Sequence, residues 1–288
     1  MSTSVLLLRA PAGTPDRYET AFSAAGHLCT SLPVLETALV NGDALRTLVR
    51  EQGRCTYDAV IITSARACEA WGAAVDSLED GPTQGTMQAS DWTGTPFYVV
   101  GSTTATALAA IRAAHPQSPY APSDVRGESS GTSQELARFV LQDLGDPPHP
   151  RPLLYLTGDK NRDTLPDILA AGGHQLHTVQ VYETRGSSRF REDLDTVLRL
   201  PIHRGTALWW IVFFAPSSSE FTIPFLQEHF DLRGVDNRLL ATRIASIGPT
   251  TTDFLRETAH LTVHAMASKP TPQHLLEAIQ ASDSGLHR

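Results

Sequence analysis

Short runs of valine, isoleucine and leucine alternate along the chain with segments whose apolar residues recur every three or four positions. "SVLLLRAPAGTP" leads to Tyr18, Ala21, Phe22 and Ala25, closed by Gly26. "DAVIITSAR" leads to Cys68, Trp71 and Val75, and "FYVVGSTTATAL" to Ala105, Leu108 and Ile111. "PLLYLTGDKNRD" leads to Leu165, Ile168 and Leu169, closed by Gly172 and Gly173. "LWWIVFFAPSSSEF" runs through Phe221 toward Phe225 and Leu226, "RIASIGPTTTDFL" to Phe254 and Leu255, and "LTVHAMASKPTPQ" to Leu275, Leu276 and Ile279. Continuous apolar strands separated by Gly/Ser/Thr/Pro loops and helical periods predict a parallel sheet covered on both faces.

Two stretches interrupt the pattern. Residues 79 to 96, "EDGPTQGTMQASDWTGTP", show no period and predict an exposed insertion. Residues 145 to 152, "GDPPHPRP", predict a rigid connector. Between them Thr132 and Glu135 have the spacing of a capping box. The halves also match in order: "AVIITSARACEAW" with "WIVFFAPSSSEF", and "YVVGSTTATAL" with "ASIGPTTTDFL". Two similar α/β domains follow, each with a hydroxyl-bearing loop and a helix start at the carboxyl edge of its sheet, where open α/β sheets bind ligands.

With 288 residues and 41% hydrophobic content there is material for two cores. No apolar run approaches the roughly 18 residues of a membrane span, and "MSTSVLLLRAPAG" lacks the features of a signal peptide, so a soluble, cytoplasmic protein is expected. The net charge of −8, without a lysine or arginine block, argues against nucleic acid or membrane as partner. It leaves small anions open, because helix starts bind them locally. Cys29, Cys55 and Cys68 form no CxxC and are expected to be buried free thiols. The phosphate-loop and dinucleotide fingerprints are missing, as is GxSxG. His260 and His264 would stand about 13 Å apart if "HLTVH" is strand, too far to chelate one metal. His174 and His177 fall on opposite faces of an extended segment. Surface or capping roles are expected for all eleven histidines.

The paired hydroxyl loops leave two readings open. Thr104 and Thr250 could cap their helices, Thr250 with Asp253 at capping-box spacing. Alternatively, the exposed N–H groups beside Gly101 and Gly248 could receive carboxylates or phosphates. In "VQVYETRG", residues 179 to 186, a short alternation ends in charge and glycine, as a crossing between domains would. A phenol there is either a core-edge aromatic or a hydrogen-bond donor to a leaving oxygen.

Taken together, "LLLRAP", "DAVIITSARA", "YVVGSTTATAL", "LLYLTGDKNRDTLPDIL", "VQVYETR" and "IASIGPTTTDFLRETAHLTVHAMASKPTPQHLLEAI" resemble the uroporphyrinogen-III synthase family, in this order over nearly the whole chain. The resemblance implies two α/β domains joined by a flexible two-stranded hinge, with the active site in the cleft between them. One domain would comprise residues 1–35 and 187–288, the other 40–180, with hinge segments near 35–40 and 180–187. The implied reaction cyclises hydroxymethylbilane to uroporphyrinogen III, losing water and inverting the last pyrrole ring, with no cofactor and no metal, in a monomer. By resemblance, Tyr182 assists hydroxide departure. Arg9, Ser64, Gly101, Thr103, Thr104, Gly158, Arg162, Ser217, Gly248, Thr250 and Thr251 bind substrate. Ala215 departs from the family, which usually shows a hydroxyl there. The rival expectation is a non-catalytic bilobed protein that closes on a small anion.

Overall fold

The computed structural model describes residues 3–53, 55–80, 90–145, 150–236 and 238–284. Strands run, in chain order, over Thr3–Leu8 (β1), Leu28–Ser31 (β2), Leu35–Leu39 (β3), Ala59–Ile62 (β4), Pro96–Val99 (β5), Asp124–Arg126 (β6), Leu153–Thr157 (β7), Leu176–Gln180 (β8), Tyr182–Gly186 (β9), Leu208–Phe213 (β10), Phe230–Asp231 (β11), Leu240–Ser246 (β12) and Ala265–Met266 (β13). The chain divides into two compact units, Met1–Glu36 with Arg185–Arg288 (unit one) and Thr37–Thr184 (unit two).

Unit one holds a parallel sheet in the order β2-β1-β10-β12, with β11 on the first residues of β12 and β13 on its last. Successive residues alternate between two cores, as a pleated strand requires. Leu6, Leu8, Trp209, Ile211 and Phe213 face helices Phe190–Arg199 and Pro216–Leu226. Val5, Leu7, Trp210 and Val212 face helices Arg17–Ala24 and Pro272–Ser284.

Unit two has the parallel order β8-β7-β4-β5-β6. Val60, Ile62, Phe97, Val99, Leu154 and Leu156 pack under helices Gly42–Glu51, Ala65–Glu79 and Gly101–Ala114. Ala59, Ile61, Tyr98, Leu153 and Tyr155 pack under helices Ser133–Leu144 and Thr164–Ala171. The full burial of these strands on both faces explains why they read as continuous apolar runs rather than alternations. β3 and β9 pair in a separate two-stranded sheet, and the chain passes from one unit to the other within both strands.

Several expectations are corrected. The insertion at 79–96 lies outside the described residues at 81–89, and its described remainder is not all exposed. Trp92 is fully buried, donates its indole N–H to the Val49 carbonyl at 2.8 Å and packs edge-on against Trp71. One aromatic in a polar stretch carries no period, so the pattern could not show this. The connector at 145–152 lies outside the described residues at 146–149. Residues 260–264 are not strand: a π-helical turn at Phe254–Thr258 ends in left-handed His260, and pairing begins only at Ala265. Cys68 is buried, with its thiol pushed up to about 12 by burial and then by Glu69, and Cys29 is half-buried, but Cys55 is exposed. His203 and His174 are buried rather than at the surface. The capping box is half formed: the Thr132 hydroxyl accepts from the Glu135 N–H, while the Glu135 carboxylate turns to Arg138.

Candidate active site

Because both sheets are parallel, each has one carboxyl edge, and the predicted site residues fall on the carboxyl edge of their own unit. In unit one these are Arg9 after β1, Ser217 after β10, and Gly248, Thr250 and Thr251 after β12. In unit two they are Ser64 after β4, Gly101, Thr103 and Thr104 after β5, Gly158 and Arg162 after β7, and Tyr182 after β8. In each unit this edge includes the point where chain order reverses across the sheet, between β1 and β10 and between β4 and β7.

Local structure assigns some of these side chains. Ser64 is the N-cap of helix Ala65–Glu79, its hydroxyl accepting from the Ala67 N–H at 3.3 Å. Ala215 holds the matching place before helix Pro216–Leu226 with nearly the same backbone angles and no side-chain cap; Ser217 beyond it is exposed. The capping reading of the threonine loops is overturned. Helix Gly101–Ala114 is preceded by Val100 and helix Pro249–Asp253 by Gly248, and neither start has a side-chain cap. Thr104 and Thr251 are nonetheless buried, each three residues after its glycine, and neither hydroxyl bonds another described residue. Thr103 and Thr250 are exposed. Gly101 has φ +78°, a conformation that favours glycine, whereas Gly248 at φ 173° is ordinary extended backbone.

The two arginines differ. Arg9 is mostly buried, and its Nη1 donates to both carboxylate oxygens of Asp16 at 2.9 and 3.0 Å, while its guanidinium lies 4.9 Å from the Tyr18 ring centre. Asp16 also caps helix Arg17–Ala24. Burial alone would raise the Asp16 pKa, but hydrogen bonds from Ala12, Arg9, Tyr18 and Glu19 outweigh it and bring it to about 2. One edge of Arg9 is therefore already committed. Arg162 is exposed and in no ion pair among the described residues.

Tyr182 opens β9 and is half-buried, with its ring against the unit-two core. Gly158 lies directly beneath it: a Cβ at 158 would stand 2.5 Å from Tyr182 Cζ and 2.9 Å from the phenolic oxygen. The Tyr182 hydroxyl bonds no described residue. A separate cavity of about 340 Å³ in unit two, lined by Val40, Asp43, Arg46, Ala70, Ala74 and Ser77 among others, contains none of the predicted site residues. Among the described residues no group of three or more His, Cys, Asp or Glu could hold a metal ion, and no helix is long and apolar enough to cross a membrane.

The HEM4 family model, described as uroporphyrinogen-III synthase HemD, matches residues 16–277. The chain belongs to the uroporphyrinogen-III synthase family. Two relatives carry the family's name. The uroporphyrinogen-III synthase of Schizosaccharomyces pombe is 27% identical over 280 residues, covering 97% of both chains. That of Saccharomyces cerevisiae is 27% identical over 288 residues, covering 96% of this chain and 95% of its own. Among solved structures, uroporphyrinogen-III synthetase from Helicobacter pylori is 16% identical with a TM-score of 0.42, covering 98% of this chain and 99% of that one. The family match spans parts of both units, from the Asp16 cap to the last helix, and so includes every predicted site residue except Arg9.

Sequence reasoning missed three features of these edges: the Asp16 partner of Arg9, the Gly158 seat of Tyr182, and Asn161, which donates to the Gly158 carbonyl at 2.8 Å. Asp16 carried a signal, since it precedes a helical period as an N-cap does. The Gly158–Tyr182 contact carried none, because the residues meet only through the pairing of β7 with β8.

Proposed function

We infer that this chain is an enzyme of tetrapyrrole biosynthesis, a cyclising lyase that converts hydroxymethylbilane to uroporphyrinogen III with loss of water and inversion of the last ring. The family match over residues 16–277 carries this reading. The substrate is an electron-rich pyrrole chain that releases its hydroxyl readily. The demand on the protein is therefore to hold the two chain ends in the geometry that leads to ring inversion, and orientation of this kind is worth roughly 7–11 kcal/mol in ideal cases. No cofactor is required by such a step.

In this reading the Tyr182 phenol, whose hydroxyl bonds no described residue, donates its proton to the departing hydroxide. Thr104 and Thr251 offer hydroxyls that no other described residue engages. Arg162 and the free edge of Arg9 pair with substrate carboxylates. The uncapped start of helix Gly101–Ala114, with Thr103, presents N–H groups to another. Ser64, Ser217, Gly158, Gly248 and Thr250 border these contacts.

The test supplies freshly generated hydroxymethylbilane to the purified protein, oxidises the products and separates the isomers. A rapid excess of the III isomer is expected; only the I isomer, at the rate seen without protein, would overturn the reading. Tyr182→Phe is expected to lower turnover by roughly a hundredfold or more, the usual scale for a lost general acid.

A further inference from the structure

The stretch from residue 157 to 161 touches the segment carrying Tyr182 at three successive points. The Val181 N–H donates to the Thr157 carbonyl at 2.8 Å. The Thr184 N–H donates to Asp159 Oδ1 at 3.2 Å. Between these, the Tyr182 ring rests on Gly158 so closely that a methyl group there would overlap it. The stretch is itself closed into a loop by Asn161, whose Nδ2 donates to the Gly158 carbonyl and whose Oδ1 accepts from the Thr157 hydroxyl. The Gly158 backbone is not in the left-handed region, so its own conformation does not call for glycine; the ring does.

We propose that Gly158, held in the closed loop 157–161, is the positioning residue for the Tyr182 phenol, and that its lack of a side chain serves the tyrosine rather than the approach of substrate. This rests on the reading of Tyr182 as the proton donor. The loop fixes the backbone on either side of Tyr182, and the bare face of Gly158 sets where the ring lies between them. A side chain at 158 would move the phenolic oxygen while leaving its chemistry intact. Asp159 acts through the Thr184 N–H, and Asn161 by keeping the loop closed under the ring.

The test combines kinetics with NMR of ring-labelled tyrosine in the full chain. The Tyr182 signal is assigned, among six tyrosines, by its loss in Tyr182→Phe. In Gly158→Ala the Tyr182 signal should move while the others stay. The value of kcat should fall roughly tenfold to a hundredfold, the scale of an ångström's misplacement, with KM within about twofold. The double variant Gly158→Ala/Tyr182→Phe should be no slower than Tyr182→Phe alone, since a positioning residue has nothing left to position. Asp159→Ala, at an exposed side chain, tests the same loop if Gly158→Ala does not fold. It should move the same signal and lower kcat, and Asp159→Asn, which keeps the acceptor oxygen, should restore both. Unchanged kcat alongside a moved signal, or losses that multiply in the double variant, would overturn the positioning role. An unmoved signal in Gly158→Ala would overturn the seat itself. Wild-type turnover in Tyr182→Phe would instead overturn the phenol as acid, a failure the ring signal keeps separate.

Discussion

The two units share one strand order read from different starting points. Unit one runs β2-β1-β10-β12-β13, and unit two runs β8-β7-β4-β5-β6, so β1 answers to β7, β10 to β4 and β12 to β5. At matched positions the apolar strands, the glycine after the fourth strand and two threonines recur, while other polar side chains differ. Ser246 and Thr252 share a buried hydrogen bond of 2.6 Å in unit one, where unit two has Val99 and Ala105 in its core. Arg9 and Asp16 stiffen the loop after β1; Thr157 and Asn161 close the loop after β7. β9 is gripped by an aromatic on a glycine in each unit, Tyr182 on Gly158 in unit two and Phe221 on Gly186 in unit one. The lesson is that the architecture tolerates either an apolar or a hydroxyl solution at one place. Thr104 and Thr251 are buried residues at matched positions, and neither hydroxyl bonds another described residue, so no hydrogen bond within either unit accounts for them.

The largest expected effect tests whether the units are energetically separate. Trp92→Ala removes a fully buried indole and its hydrogen bond to Val49, a loss of about 3–5 kcal/mol by core-truncation experience. Hydrogen exchange read by segment should show lost protection in β4, β5 and β7 and unchanged protection in β1, β10 and β12. Equal loss in both sets would show that the units unfold as one, and the comparison would then concern topology only.

The next effect asks whether the hydroxyl pair of unit one is interchangeable with the apolar pair of unit two. Thr252→Val leaves the buried Ser246 hydroxyl without its partner and should cost about 1–3 kcal/mol in urea unfolding. Ser246→Ala/Thr252→Val should recover much of that loss, because removing both partners leaves no orphan. Additive losses would mean that the hydroxyls support something beyond each other.

The sequence made the central strands legible because burial on both faces leaves an uninterrupted apolar run. The edge strands β2, β6 and β11 are short and at best half-buried for most of their residues, so "LCTS", "DVR" and "FD" lack any such run. Helices Gly42–Glu51 and Phe190–Arg199 do carry their period, in Leu45, Leu48 and Val49 and in Phe190, Leu194 and Val197, yet the strand-loop-helix theme passes over them. For the site, order along the chain sufficed to place candidates on the carboxyl edges. What each candidate touches was hidden, since Arg9 with Asp16 is a short-range relation that two residue types suggest only weakly, and Tyr182 on Gly158 is a tertiary one.

The amino-terminal edges of the sheets offer a third test, smaller and dependent on pH. In unit one His203 is 4% exposed, its Nδ1 2.8 Å from the Ser4 hydroxyl and its Nε2 3.0 Å from that of Thr30. Unit two places Tyr57 there, stacked on Trp92 and both stacked on and hydrogen-bonded to His177. Burial holds the His203 pKa below 6.5, so the folded state keeps the imidazole neutral while the unfolded chain takes up a proton. The unfolded state then binds more protons over the window just below 6.5, and stability should be undiminished above it and fall as pH drops through it. Urea midpoints between about pH 8 and 5 should decline less in His203→Gln than in the parent. Parallel profiles would remove His203 as the cause.

The smallest expected effect bears on Ala215, where the family resemblance leads one to expect a hydroxyl. Ser64 and Ala215 occupy matched N-cap positions, with φ and ψ of −144° and 148° against −156° and 151°. The Ser64 hydroxyl accepts from the N–H three residues on; at Ala215 the same geometry waits without an acceptor. Ala215→Ser should therefore add a hydrogen bond to the Ser218 N–H and stabilise unit one by about 1 kcal/mol, the usual worth of a cap. If capping is what a hydroxyl does at this place, the urea midpoint rises while kcat and KM for the bilane stay as they were. If the hydroxyl is instead a substrate contact, KM falls and the midpoint does not move. Ser64→Ala is the mirror experiment, and the pair should give opposite stability changes of similar size. A Ser64→Ala variant that loses activity without losing stability would show that the two units, alike in backbone at this position, have divided structure and binding between them.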